Sequence, residues 1–147
     1  MSKLPFVSRP GQRPRPLDVV GEELSVLVAK DATQGYEVFL QVGVEGSGPP
    51  PHSHDWDESF YVISGQMEFG YGKESHSVAP GGFVHIPGGT VHWFRFLEAG
   101  GQMISITSAG NAAKFFTAVD EEVTGADPDF GKLAAVAEAH GLTIEAG

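Results

Sequence analysis

An all-β sandwich or barrel, followed by two short helices, is the fold class that the sequence predicts. Twenty glycines and ten prolines cut the 147 residues into short pieces, the punctuation of many strands joined by turns. That cadence persists through residue 107 and argues against a parallel α/β sheet. After Ala109 the pattern changes, and apolar residues recur at helical spacing.

Taken in order, residues 1–17 read as an extended basic leader, with Pro5, Pro10, Pro14 and Pro16 among Lys3, Arg9, Arg13 and Arg15. Residues 18–109 are the expected β-barrel. Its strands are predicted at Leu24–Ala29, Tyr36–Val44, Glu58–Ile63, Gln66–Tyr71, Phe83–Ile86, His92–Leu97 and Gln102–Thr107. Ser64-Gly65 reads as a tight hairpin turn, and Pro80-Gly81-Gly82 and Pro87-Gly88-Gly89 as two further breaks. Residues 110–147 are expected to form a helical segment packed on the barrel. Asn111 is the predicted N-cap of a first helix that presents Phe115, Phe116, Val119 and Val123. Asp127-Pro128 signals the start of a second, with Phe130, Leu133, Val136, Ala137 and His140 as its stripe and Gly141 as its left-handed end.

The composition excludes several classes of function. There is no cysteine, so disulfides, thiol catalysis, iron–sulfur clusters and thiolate zinc sites are out. Nine Lys and Arg face nineteen Asp and Glu, a net charge of −10. From Pro16 onward five bases face nineteen acids, which gives −14, and a body that acidic repels phosphate backbones. Nucleic acid is therefore not an expected partner. Neither is a membrane, because no apolar run approaches the roughly 18–20 residues of a spanning helix. The N-terminus lacks the apolar stretch of a secretory signal, and a cytoplasmic location is expected. No serine sits in a nucleophile elbow, so Ser-His-Asp hydrolysis is not supported.

The stretch from Gly46 to Glu58 carries the chemistry. His52 and His54 stand at i and i+2 and project to one face of a strand. Glu58, four residues beyond His54, returns to that face across a short kink. His92 follows the Pro87-Gly88-Gly89 turn on a later strand. Three imidazoles and one carboxylate are a complete ligand set for a divalent first-row metal, with one or two positions left open for reaction.

The spacing Gly46-(x5)-His52-x-His54-(x3)-Glu58-(x6)-Gly65, then Gly81-(x5)-Pro87-x-Gly89-(x2)-His92, resembles the two motifs of the cupin superfamily at nine positions. The resemblance implies a double-stranded β-helix of the jelly-roll type, with the ligands pointing into the barrel mouth. The short stretch between Gly65 and Gly81 resembles that of compact single-domain members. Phe96 departs from the pattern, which often has Asn there, and this makes an acid- or sugar-binding pocket less expected. Val20-Gly21-Glu22-Glu23-Leu24, Pro49-Pro50-Pro51 and His140-Gly141-Leu142 are similar to small cupins grouped with quercetin dioxygenases. One divalent transition metal per chain (Fe, Ni, Co, Mn, Cu or Zn) and a homodimer are implied.

Alternation places Phe60 and Val62 beside Glu58, and Phe94 and Phe96 beside His92. These four, with Met103, either line an apolar pocket or fill the barrel core. Trp56 and Trp93 are expected to point away from the metal. His85 reads as a surface residue, His76 as part of a polar turn and His140 as the last turn of a helix. Asp55 and Asp57 read as a solvated loop with the capacity to orient a ligand histidine. The expected function is a metal-dependent oxygenase acting on a flat aromatic or phenolic small molecule such as a flavonol, with Glu58 as ligand and general base. That role calls for a raised carboxyl pKa. The alternatives are a non-redox cyclase or isomerase, and a cupin that binds a small molecule without turning it over.

Overall fold

The computed structural model of the chain describes residues 4–123 and 129–145. After a 3-10 turn at Pro10–Gln12 come β1 (Leu17–Val19), β2 (Glu22–Val28), the single helical turn α1 (Lys30–Thr33), β3 (Tyr36–Gly43) and β4 (His52–His54). There follow β5 (Glu58–Tyr71), β6 (Glu74–Val78), β7 (Phe83–Ile86), β8 (His92–Ser108), α2 (Ala112–Glu122), α3 (Phe130–Ala139) and β9 (Leu142–Ile144). Every strand pair is antiparallel. No helix among the described residues is long and apolar enough to cross a membrane.

The hub is β8, whose 17 residues pair with β5 from Tyr71↔His92 to Glu58↔Thr107. The C-terminal part of β8 also pairs with β3, and His92 at its start pairs with His52 of β4. A sheet in which one long strand serves both ends must curl on itself, and the result is the expected jelly-roll barrel. Curling occurs where Gly65, at φ +77°, crosses Gly100 and Gly101. A Cβ on Gly65 would collide with the Gly100 carbonyl, so glycine is required there by both conformation and space.

That crossing corrects the predicted hairpin at Ser64-Gly65. The chain does not turn back; it continues as one strand through two register shifts, between Val62 and Ser64 and between Gly65 and Met67. A positive-φ glycine serves a bulge as well as a turn. For the same reason the two predicted strands His92–Leu97 and Gln102–Thr107 are one. His76 also differs from expectation: it lies on β6, exposed, with its ring against Tyr71.

The interior divides into two apolar clusters. One fills the interior of the barrel with Phe60, Val62, Met67, Phe69, Ile86, Phe94, Phe96 and Met103. The other lies under the helices and unites Leu24, Phe39 and Trp56 with Phe115, Val119, Leu133, Val136, Ala137 and Leu142. Phe130 is 52% exposed and takes no part in that second core, which corrects its place in the predicted stripe. Gly141 ends the α3 segment at φ +86°, as expected. β9 then returns along β4, pairing His54 with Leu142 and His52 with Ile144.

Helix starts differ from expectation in their chemistry. Asn111 occupies the N-cap position of α2 but makes no side-chain cap; its Oδ1 accepts from Lys30 Nζ at 3.1 Å. The buried Glu37 carboxylate caps instead, with Oε1 accepting from Ala113 N and Oε2 from Lys30 N, each at 3.0 Å. Asp127 and Pro128 lie outside the described residues, and α3 is capped by Asp129, which accepts from Lys132 N at 3.0 Å. Arg15, at the end of the leader, holds Asp120 of α2 at 2.8 Å.

Candidate metal centre and the cavity beside it

The pleat of β4 sends His52 and His54 inward and leaves Ser53 half-buried between them. Pairing of His52 with His92 across β4 and β8 then sets their rings 4.3 Å apart, centre to centre. The three imidazoles are buried, and one ring nitrogen from each lies within 4.8 Å of those of the other two.

Each ring is fixed by its own backbone. His52 Nδ1 donates to the Pro50 carbonyl at 2.9 Å, His54 Nδ1 to that of Trp56 at 2.9 Å, and His92 Nδ1 to that of Thr90 at 2.8 Å. A carbonyl oxygen only accepts, so Nδ1 carries the proton in all three and Nε2 presents a lone pair. Glu58, the first residue of β5, brings Oε1 to 3.2 Å from His54 Nε2 and 3.6 Å from His92 Nε2. His92 Nε2 is buried without a hydrogen-bond partner. Lone pairs converging on a carboxylate oxygen repel one another unless a cation stands among them, so the donor set fits a divalent metal.

The electrostatics of the metal-free site agree. Burial, followed by the neighbouring His92, pushes His52 down to about 3, so that it stays neutral and able to ligate. Burial of Glu58 opposes its ionisation; without a metal, a proton on Nε2 of His54 or His92 takes the cation's place beside Oε1, outweighs burial and sets the carboxyl at about 2. The expected raised pKa at Glu58 is therefore not what its surroundings produce.

The second motif is docked onto the first by its turn. Gly89 N donates to the His54 carbonyl at 2.7 Å, and Gly88 N to Asp57 Oδ1 at 2.8 Å. A Cβ on Gly88 would strike the Asp55 carbonyl. Asp57 thus anchors the turn that carries Thr90 and His92, and Asp55 is exposed; neither carboxylate meets an imidazole. Trp56 corrects its expected outward direction. It is 7% exposed and stacks on His54, with centroids 4.5 Å apart and planes 7° from parallel. Trp93 packs beside Gly70 and under Arg95. His85 is exposed on β7 and meets Ser59 Oγ at 2.9 Å.

His52, His54 and Glu58 form part of the wall of a cavity at the junction of the two apolar clusters. It holds about 640 Å³ of atom-free space counted out to its mouth, of which about 50 Å³ admits the centre of a water molecule. The space is therefore a slot for about four waters or one small ring, and a larger ligand must part its walls. Val19, Val20, Trp56, Phe94, Phe115, Phe116 and Leu133 make most of its surface apolar, and no Lys or Arg is among its described lining residues. Of the five expected pocket residues only Phe94 lines this slot; Phe60, Val62, Phe96 and Met103 pack in the barrel core.

Two polar residues of the wall were not singled out from sequence. Glu22 and Gln41 are 3% and 2% exposed, and Gln41 Nε2 donates to Glu22 Oε1 at 2.9 Å. Burial pushes Glu22 up to about 8; the Gln41 hydrogen bond lowers it in part, and the charge of Glu58 raises it further. The available signal was parity: Glu22 alternates in phase with buried Leu24, and Gln41 with buried Phe39.

The cupin domain family matches residues 38–106, which include all four candidate ligands. Quercetin 2,3-dioxygenase of Bacillus subtilis is 28% identical over 125 residues, 83% of this chain and 36% of the relative. The chain thus spans about a third of that relative's length. Among solved structures, an RmlC-like cupin from Shewanella frigidimarina has a TM-score of 0.66 at 16% identity, covering 78% of this chain and 99% of that one. The polyketide cyclase RemF from Streptomyces resistomycificus has a TM-score of 0.62 at 17% identity, covering 71% and 80%. Barrel, paired motifs and the family match over residues 38–106 make the chain similar to small cupins of the quercetin-dioxygenase group.

Proposed function

We propose that the chain is a metal-dependent oxygenase acting on a flat, neutral phenolic molecule, with His52, His54, Glu58 and His92 as its metal ligands. What carries this reading is the convergence of three proton-free Nε2 atoms and one carboxylate oxygen beside an apolar slot without cationic side chains. Bound there, a redox-capable metal supplies Lewis-acid and electron-transfer chemistry. The protein's own part is to exclude water and to hold the ring between apolar walls. Phe94 and Trp56 give a flat ring two aromatic neighbours. The lack of Lys and Arg disfavours carboxylate and phosphate substrates. The likeness to quercetin 2,3-dioxygenase supports the substrate class, and the narrow slot favours single-ring phenols unless the walls part.

Oxygen uptake tests the reading. Protein loaded separately with Fe, Ni, Co, Mn and Cu is screened against flavonols and single-ring phenols. Consumption of one O₂ per product is the expected result. No uptake with any metal overturns the oxygenase. Product that persists under strict anaerobiosis assigns the non-redox cyclase or isomerase, a reading favoured by the likeness to the polyketide cyclase.

We propose a homodimer as well. Tyr61, Ile63, Phe83 and Ile106 are 43–63% exposed, and strand register sets Tyr61 against Phe83 on the outer face of the sheet. An apolar face of this kind favours a covering partner. Sedimentation equilibrium gives a mass near twice 15.6 kDa if the proposal holds and 15.6 kDa if it fails.

A further inference from the structure

The slot has a second polar pair in its wall, Glu22 and Gln41, and that pair is one hydrogen bond short. Among the described residues, Gln41 is the sole hydrogen-bond partner of the Glu22 side chain. Gln41 Oε1 is buried and has no hydrogen-bond partner among the described residues. Turning the amide over does not mend this. Oε1 would then accept from a protonated Glu22, and Nε2 would be left over in its place. Buried polar atoms are paired in nearly all folded proteins, and one left unpaired in a residue of a cavity wall can be paired by a ligand that parts that wall. Every other described wall residue outside the metal site is apolar.

The missing group is a donor, because the unpaired atom is a carbonyl oxygen. A hydroxyl suits the place best: it donates to Gln41 Oε1 and can accept from a protonated Glu22 carboxyl beside it. A carboxylate or phosphate does not, because it has no proton to donate and the wall holds no positive side chain. We infer that Glu22 and Gln41 form a substrate-positioning pair that binds a second hydroxyl group of the substrate, and so select phenols bearing two hydroxyls over phenols bearing one. The inference rests on the phenolic reading above. It adds where two oxygens of the substrate are held: one at the metal centre, the other at Glu22–Gln41.

Binding rather than turnover tests it. Zinc-loaded protein, which cannot oxidise the ligand, is titrated anaerobically with phenol, resorcinol and hydroquinone. The better of the two dihydroxy compounds is expected to bind about tenfold more tightly than phenol. Gln41→Met is expected to reduce that advantage to about twofold or less, with phenol affinity and zinc content unchanged. Glu22→Gln, which keeps the shape of the pair, should erode the advantage in the same direction. In nitrogen-15 spectra the Gln41 side-chain amide, assigned by its loss in Gln41→Met, should shift with the dihydroxy ligand and not with phenol. Equal affinities in the wild type overturn the inference alone, as does an advantage that survives in Gln41→Met. Failure of all three compounds to bind overturns the phenolic reading together with it.

Discussion

Trp56 holds His54 twice: its indole stacks on the imidazole at 4.5 Å, and its carbonyl accepts from Nδ1 at 2.9 Å. The carbonyl chooses the tautomer and the ring fixes the tilt, so one residue orients a candidate ligand in two ways. Gly110 leaves room for this, because a Cβ there would strike the indole.

Trp56→Ala removes the stack while keeping the carbonyl. The cavity left in the core under the helices should destabilise the fold by about 3–5 kcal/mol. Zinc affinity should fall about 10- to 100-fold. Trp56→Phe should recover most of both. Urea unfolding and zinc titration of the two variants check this, and unchanged zinc affinity in Trp56→Ala would assign the ring to packing alone.

The pH dependence of the metal-free protein follows from groups pulled in opposite directions. Glu22, raised to about 8, binds its proton more tightly folded than unfolded, so its contribution is present at low pH and is lost as pH rises towards 8. His52, lowered to about 3, is neutral in the fold while the unfolded chain protonates near 6.5, so stability falls as pH drops from there. Glu58, lowered to about 2, adds a further loss as pH falls below about 4.5. Thermal unfolding should therefore show a broad optimum between about pH 4.5 and 6.5, with each group changing stability by at most about 1.4 kcal/mol per pH unit. Glu22→Gln should flatten the alkaline limb and leave the acid limb in place.

Glu37 reaches Ala113 from 76 positions away and ties α1 and α2 to β3. Glu37→Ala leaves two helix-start N–H groups without acceptors and should destabilise the protein by about 2–4 kcal/mol. Glu37→Gln keeps one acceptor and should lose about half as much. Calorimetric melting of both variants measures the difference.

The candidate ligands were legible because metal chemistry needs particular residue types at particular spacings, and His52-x-His54 on a strand satisfies both. The inward direction of Phe60, Val62, Phe94 and Phe96 was legible for the same reason, since strands alternate. Their division between slot and core was not, because that depends on where α2, α3 and β9 close the barrel end. Ser64-Gly65 misled because local sequence sets the φ of a glycine but not whether its strand turns back. Asn111 had the residue type of a cap, yet the cap came from Glu37 on a distant strand. Glu22 lies in the Val20–Leu24 stretch and both it and Gln41 share parity with buried neighbours, but neither stands at a ligand spacing, and the cavity is what brings the two together.

Cobalt titration of metal-free protein tests the central claim most directly, because visible d–d absorption reports both stoichiometry and ligand field. The account predicts saturation at one equivalent per chain, a spectrum altered in Glu58→Gln, and loss of binding in His92→Ala. Saturation that persists unchanged in His92→Ala, or the absence of any d–d band in the wild type, would contradict it.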